Sequence, residues 1–113
     1  MNVEEIREYA IALPDVEESF PFDDQTLVFK TGGKIFLLLS LDAQPISFNV
    51  KCNPEKAIEL REEYEAVKPG YHMNKKHWNT VVADGSLGEA FLKEQIDHSY
   101  DLIAKAKPKK KGA

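Results

Sequence analysis

A chain of 113 residues is long enough for one compact domain with a single hydrophobic core and too short for two. Its 42% apolar and 30% charged residues exclude a disordered chain, and a formal net charge of −4 argues against a general nucleic-acid binder. The longest apolar run, residues 35–39, is too short to cross a bilayer. We therefore expect a single domain over residues 1–106, a basic tail over 107–113, a cytoplasmic location and no membrane contact.

Charge is distributed unevenly along the chain. Residues 1–24 contain eight acids against one arginine, whereas residues 105–111 contain five lysines and no acid. Residues 68–78 combine three lysines and two histidines, again with no acid. One end of the sequence is therefore acidic, and the segment near residue 75 and the tail are basic.

The chain begins with a helical pattern. Asn2 followed by Glu5 forms a capping-box pattern, and apolar residues at helical spacing predict a helix from about Val3 to Leu13. Residues 15–24 contain two phenylalanines on either side of a proline, which predicts a loop with aromatic side chains under the core. Part of this loop is expected to form a short edge strand.

Three strands are predicted next, as an antiparallel meander. Residues 26–30 and 34–41 are rich in β-branched, aromatic and aliphatic side chains, and the glycines of residues 31–33 predict a tight hairpin between them. Residues 46–51 alternate between apolar and polar, which predicts a strand with one buried and one wet face. The polar residues on the wet face are Ser47, Asn49 and Lys51.

The second half predicts two more helices and a second hairpin. Asn53 before a proline is a helix start, and the apolar stripe continues to about Ala66. Residues 71–73 and 78–83 predict two short strands joined by a turn, and Ser86 with Glu89 is a capping box for a C-terminal helix. The overall prediction is an α+β domain, in which an antiparallel sheet of about five strands packs against N-terminal, middle and C-terminal helices.

Candidate contact residues are concentrated in the second hairpin. Lysines neutralise phosphates, planar rings stack on bases, and amides bond to base edges or the backbone. Lysines beside the glycine turn of the first hairpin have the same capacity. The predicted nucleic-acid contacts are Lys30, Lys34, Lys68, Tyr71, His72, Asn74, Lys75, Lys76, His77, Trp78 and Asn79. The alternative is that inward-facing members of this set belong to the core, and for Trp78 both roles are open.

No pattern in the chain predicts catalysis, a metal or a cofactor. Cys52 is the only cysteine, which excludes an internal disulfide, and a buried thiol at this position is commoner than an activated one. His72 and His77 have no third metal ligand near them in sequence. Residues 97–99 contain the residue types of a hydrolytic triad, but neighbours on a helix face different directions. Whether residues 97–99 interrupt the C-terminal helix stays open. We expect a protein that is not an enzyme.

Several sequence blocks carry a family resemblance. The longest is PGYHMNKKHWNTV at residues 69–81. Shorter ones are LPDVEE at 13–18, FPF at 20–22, FK and GKIF within 29–36, LRE at 60–62 and SYDL at 99–102. With these blocks the chain resembles the YjbR/MmcQ family of small bacterial proteins over nearly its whole length.

The resemblance implies a frataxin-like fold with helices on one side of the sheet. Members are described as DNA-binding through a double wing, and in this chain the wings would be the turns at residues 30–34 and 74–77. The acidity of the chain limits such contact with DNA to weak, salt-sensitive binding. The alternative is a frataxin-like module that binds cations or a protein partner through the acidic first helix and the loop after it. The residues involved would be Glu4, Glu5, Glu8, Asp15, Glu17 and Glu18.

Overall fold

The computed structural model describes residues 1–70 and 73–105. Over these residues the chain forms three helices and six strands, which confirms the α+β prediction. In chain order they are α1 (Val3–Ile11), β1 (Val16–Ser19), β2 (Thr26–Thr31), β3 (Lys34–Ser40), β4 (Ile46–Lys51), α2 (Pro54–Glu63), β5 (Val67–Pro69), β6 (Trp78–Ala83) and α3 (Glu89–Lys105).

The six strands form one antiparallel sheet in the order β1-β2-β3-β4-β6-β5. The expected count of five strands was therefore too low by one. Among the described residues, the strand before β6 is Val67–Pro69. Of the predicted strand 71–73, residues 71 and 72 lie outside the described residues. Val67 pairs with Val81 and is buried against Leu60 of α2, so apolar burial sets the position of β5.

Helix starts follow their capping residues closely. At α1, the Asn2 side chain accepts a hydrogen bond from the Glu5 amide and the Glu5 carboxylate accepts one from the Asn2 amide, as predicted. At α2, the Asn53 side chain accepts from the first-turn amides of Glu55 and Lys56. Both helix starts confirm the sequence prediction because capping depends on residues only two or three positions apart.

Helix ends and the start of α3 differ from the prediction. α1 ends at Ile11 and α2 at Glu63, because Tyr64 already has an extended backbone that leads into β5. Ser86 does not cap α3, which begins at Glu89. Instead, the amide and hydroxyl of Ser86 both donate to the Asp84 carboxylate, 3.0 and 2.7 Å away, and this turn holds the pKa of Asp84 below its usual value.

One face of the sheet carries the main core. Antiparallel partners share a face, so paired residues such as Leu39 and Phe48 point to the same side. The buried strand residues on this side pack with α1 and α3, and we call it the helix face. The cluster consists of Ile6, Ala10, Leu27, Phe29, Phe36, Leu37, Leu39, Phe48, Val50, Val81, Leu92, Ile96 and Ile103. The opposite side, which carries Val28, Leu38 and Asn49, is called the open face, although Val28 and Leu38 are buried there at 0% and 7% exposure.

A buried serine of α3 connects the helix to a bulge in the sheet. Phe29 pairs with Leu37 and Lys30 with Ile35, so Phe36 lacks a partner in the β2–β3 ladder. Ser99 is 0% exposed, donates its hydroxyl to the Phe36 carbonyl at 2.5 Å and accepts from the Lys51 amide at 2.9 Å. The carbonyl of the bulged residue Phe36 is therefore satisfied by α3.

Residues 97–99 do not interrupt α3, which is continuous from Glu89 to Lys105. The Asp97 carboxylate accepts the Tyr9 hydroxyl at 2.6 and 2.8 Å, whereas His98 accepts the Asn53 amide at 3.2 Å. Ser99 faces the sheet, so the three side chains have three separate partners. They do not form a triad. No helix within residues 1–70 or 73–105 is long and apolar enough to cross a membrane.

Candidate nucleic-acid interface

The two predicted wings lie at the same end of the sheet. β2 runs up to the turn at residues 32–33, and β4 runs in the same direction, because both are antiparallel to β3. Lys51 at the end of β4 pairs with Trp78 at the start of β6, so the β5–β6 loop leaves the sheet at this end too. We call it the loop end. Only β4 separates the two hairpins, which places their midpoints about 14 Å apart at the usual strand spacing.

The first wing is a tight glycine turn. Gly32 and Gly33 have positive φ angles of 59° and 79°, which L-residues with side chains rarely adopt, as the sequence predicted. Lys34 is exposed beside the turn. Lys30 is half-buried and lies opposite the exposed Glu17 of β1. The wing therefore presents one fully exposed cation.

The second wing is built around Asn74. Its backbone carbonyl accepts from the amides of His77 and Trp78 at 3.2 and 3.0 Å, and its side-chain Oδ1 accepts from the Lys76 amide at 2.9 Å. Such a side-chain bond to the backbone two residues on stabilises a turn. Lys75 and Lys76 are exposed at its tip. Asn74 is therefore mainly a turn former, and the two lysines are the groups it presents.

Arg61 of α2 holds the second wing from the helix face. Its Nε donates to Asn79 Oδ1 at 2.7 Å, and its Nη2 donates to the carbonyl oxygens of Lys75 and Trp78, the latter at 3.1 Å. Asn79, one of the predicted nucleic-acid contacts, is 1% exposed in this structure. Its amide serves to hold Arg61. Arg61 was not among the predicted contacts, since no local pattern links a helix residue to a loop 14 positions later.

Gly70 and Trp78 make close contact at the base of the second wing. The Gly70 amide donates to the Trp78 carbonyl at 2.9 Å, and a Cβ on Gly70 would lie only 2.8 Å from the Trp78 Cβ. The Trp78 side chain is half-buried and lies opposite Lys51 on the open face. It is therefore neither a core residue nor a fully exposed platform.

The remaining predicted contacts have mixed positions. Lys68 is exposed on β5 and pairs with Thr80, which places it on the open face. His77 is half-buried, and its carbonyl accepts from the Cys52 amide at 2.7 Å, which connects the loop to the start of α2. The predicted contacts Tyr71 and His72 lie outside the described residues.

Lys51 is a further cation that the predicted contacts omitted. It is half-buried at the loop end and shares the open face with Trp78. The alternation of residues 46–51 had placed it on the wet face of its strand. That pattern could not show which residues of other strands lie beside it, because strand order is not a local property.

Other candidate sites have structural explanations. Cys52 is buried, and burial raises the pKa of its thiol despite the opposing charges of Lys56 and Arg61, so it is not an activated nucleophile. In the acidic segment, Glu18 is bound to Arg7, whose Nε donates to Oε1 at 2.7 Å. Among residues 1–70 and 73–105, no three His, Cys, Asp or Glu side chains are grouped so as to hold a metal ion.

Comparisons with known proteins agree with this architecture. Residues 11–102 match the family model YjbR. The uncharacterized protein YbdF of Escherichia coli O157:H7 is 42% identical over 101 residues, covering 88% of this chain and 82% of YbdF. The uncharacterized protein YjbR of Escherichia coli strain K12 is 31% identical over 111 residues, covering 98% of this chain and 94% of that protein.

Solved structures share the same fold. A crystal structure of a Deinococcus radiodurans protein with the family-model domain DUF419 has a TM-score of 0.90 at 38% identity, covering 96% of this chain and 83% of that one. A crystal structure of a Pseudomonas syringae protein has a TM-score of 0.79 at 27% identity, covering 91% of this chain and 99% of that one. Since the family model spans most of the chain and both relatives match it over most of their length, this protein belongs to the YjbR family.

Proposed function

We propose that this protein binds DNA weakly through the loop end of its sheet and that it is a binding protein, not an enzyme. The observation that carries the proposal is the shared direction of the two wings, which brings exposed Lys34, Lys75 and Lys76 to one end of the molecule. A polyanion can then contact both wings at once. A DNA partner is consistent with the expected cytoplasmic location.

The charge distribution supports binding that depends strongly on salt. Residues 66–81 contain no acid, so the second wing is a basic surface on a molecule whose net charge is −4. Each lysine–phosphate contact releases counterions, and the affinity therefore falls as salt concentration rises. Repulsion between DNA and the acidic remainder of the chain keeps the affinity low.

The construction of the second wing also supports a binding role. Arg61 and Asn74 fix the backbone of the loop from two sides, so Lys75 and Lys76 are presented on an ordered turn. A preorganised loop loses less conformational entropy on binding than a free one. His77 and Asn79 contribute to this framework through a backbone and a side-chain bond, respectively.

The proposal is tested by titrating a labelled DNA duplex at two ionic strengths with the wild type and a Lys75→Ala/Lys76→Ala variant. We expect the variant to weaken binding to unrelated sequences equally and to reduce the salt slope by about 0.9 for each phosphate that these lysines neutralise in the wild type. Both lysines are exposed, so their removal leaves folding intact.

Lys93→Ala is the matched control. It also removes one positive charge, but Lys93 lies on α3 in an ion pair with Glu89 at 3.0 Å. The DNA affinity of the Lys93→Ala variant should stay near that of the wild type, whereas the Lys75→Ala single variant should bind DNA clearly more weakly. Equal weakening by Lys75→Ala and Lys93→Ala would mean that net charge alone drives binding, which would refute the loop end as the contact surface.

A further inference from the structure

The open face carries a row of six paired residues, one from each strand. The pairings follow one another across the whole sheet, so these side chains lie side by side on the same surface. In spatial order they are Ser19, Val28, Leu38, Asn49, Thr80 and Lys68. Apolar residues lie at the centre of the row and polar ones toward β5.

A cavity of about 490 Å³ lies over the middle of this row. Its size falls within the roughly 300–1,000 Å³ typical of small-ligand sites. Leu38 and Asn49 lie in its floor, while Phe22 and Asp23 from the β1–β2 connection and Met73, just before the second wing, contribute to its sides. The sheet residues of the cavity come from β2, β3 and β4, and the cavity extends toward Thr26 and Ser40, at the strand ends away from the loop end, while Met73 connects it to the segment before the second wing.

Phe22 is an unusually exposed aromatic side chain, with 66% of its surface accessible. A local turn holds the chain beside it, because Asp23 Oδ1 accepts from the amides of Gln25 and Thr26 at 3.0 and 2.9 Å. Thr26 and its cross-strand partner Ser40 contribute hydroxyls to the same cavity. An exposed ring thus lies beside groups that can donate and accept hydrogen bonds.

Two lysines lie on the same face, beyond the Asn49 side of this cavity. Lys51 lies two residues beyond Asn49 on β4, about 7 Å along the strand. Lys68 is two strands away from Asn49 in the same row, about 10 Å across the sheet. Side chains of this length can bring their ammonium groups closer still. A ligand with a flat, hydrogen-bonding group next to negative charges matches this arrangement.

We infer that the open-face cavity binds an unpaired nucleobase, so that a single-stranded nucleic acid is the preferred ligand; this inference rests on the proposed function. A base can stack on Phe22 and bond to Asn49, Thr26 or Ser40, while its flanking phosphates meet the lysines. In a duplex the base faces are covered by their neighbours, and a base must be extruded before it can enter such a cavity.

The test compares three labelled probes: a 12-nucleotide single strand of mixed sequence, its duplex, and an abasic strand of the same length. We expect the wild type to prefer the single strand over both others. Phe22→Ala should weaken single-strand binding by about fivefold to 100-fold, as expected for the loss of one stacked base, and should leave abasic-strand binding unchanged.

Phe20→Ala is the matched control, because Phe20 is also exposed, at 49%, in the same connection but lines a different cavity with Arg7 and Leu27. Its single-strand affinity should stay within twofold of the wild type. The cavity is not a base site if both substitutions weaken single-strand binding equally, or if Phe22→Ala has no effect on it while the duplex still binds. In either case the proposed function stands. If none of the three probes binds, the proposed function and this inference are both refuted.

Discussion

Arg61 offers the sharpest test of how the second wing is held. Replacing Arg61 by alanine removes three hydrogen bonds, one to the Asn79 side chain at 2.7 Å and two to the carbonyls of Lys75 and Trp78. Bonds that involve a charged donor contribute about 1.5–3 kcal/mol each. The Lys75 carbonyl belongs to an exposed residue and can bond to water instead, but the Asn79 side chain is 1% exposed and would be left without this partner in a buried setting.

From these hydrogen bonds we expect Arg61→Ala to lower the free energy of unfolding by about 2–4 kcal/mol, less than the full sum because water replaces part of the interaction. Urea denaturation should show a midpoint lower by about 1 M or more. Amide chemical shifts should move most for residues 74–80. DNA affinity should also fall, since the loop that presents Lys75 is no longer held, although Arg61 itself is not a proposed contact.

Two further variants separate the geometry from the charge. Arg61→Lys keeps the positive charge but lacks the planar fork that reaches three acceptors, so we expect it to recover less than half of the stability that Arg61→Ala removes. Arg7 is the only other arginine of the chain and forms an ion pair with Glu18 on the surface, where such pairs contribute little. If Arg61→Ala costs no more stability than Arg7→Ala, the reasoning about the loop anchor is refuted.

Two other predictions concern the base of the second wing and the start of α2. Gly70→Ala should destabilise the protein by about 1–3 kcal/mol in urea denaturation, because the new Cβ would lie 2.8 Å from the Trp78 Cβ. Gly88→Ala is the control and should cost much less stability, because no atom lies within 4 Å of its added Cβ. Equal losses of stability in the two variants would contradict the close contact. Burial, together with the charge of Lys56, lowers the pKa of His98 below 6.5 and outweighs the opposite effect of the Asp101 carboxylate. The neutral form of His98 should therefore contribute to stability above about pH 6.5, and this contribution should be lost as the pH falls toward the folded-state pKa. Unfolding measured at about pH 7.5 and 5.5 should show a larger drop in stability in the wild type than in His98→Gln, and an identical drop would show that His98 is not responsible.

Local structure was predictable wherever the deciding residues are neighbours in sequence. The hairpin at Gly32 and Gly33 and the caps at Asn2 and Asn53 all match the structure, since a turn or a cap depends on dihedral preferences within a few positions. The alternation in residues 46–51 likewise indicated which side chains share a face. A short edge strand was expected within residues 15–24, where β1 lies, but the three-residue β5 carries too little periodicity to be located.

For the candidate site, the sequence by itself determined which residue types were present: a basic, aromatic segment near residue 75 in an acidic chain. Only the tertiary structure decided their roles, because strand order and register bring residues together that are far apart in the chain. It turned Asn79 inward to Arg61, directed both wings to one end of the sheet and placed Phe22 and Asn49 around one cavity. These arrangements follow from burying one face of a six-stranded sheet under the helices, a long-range constraint that no short stretch of sequence contains.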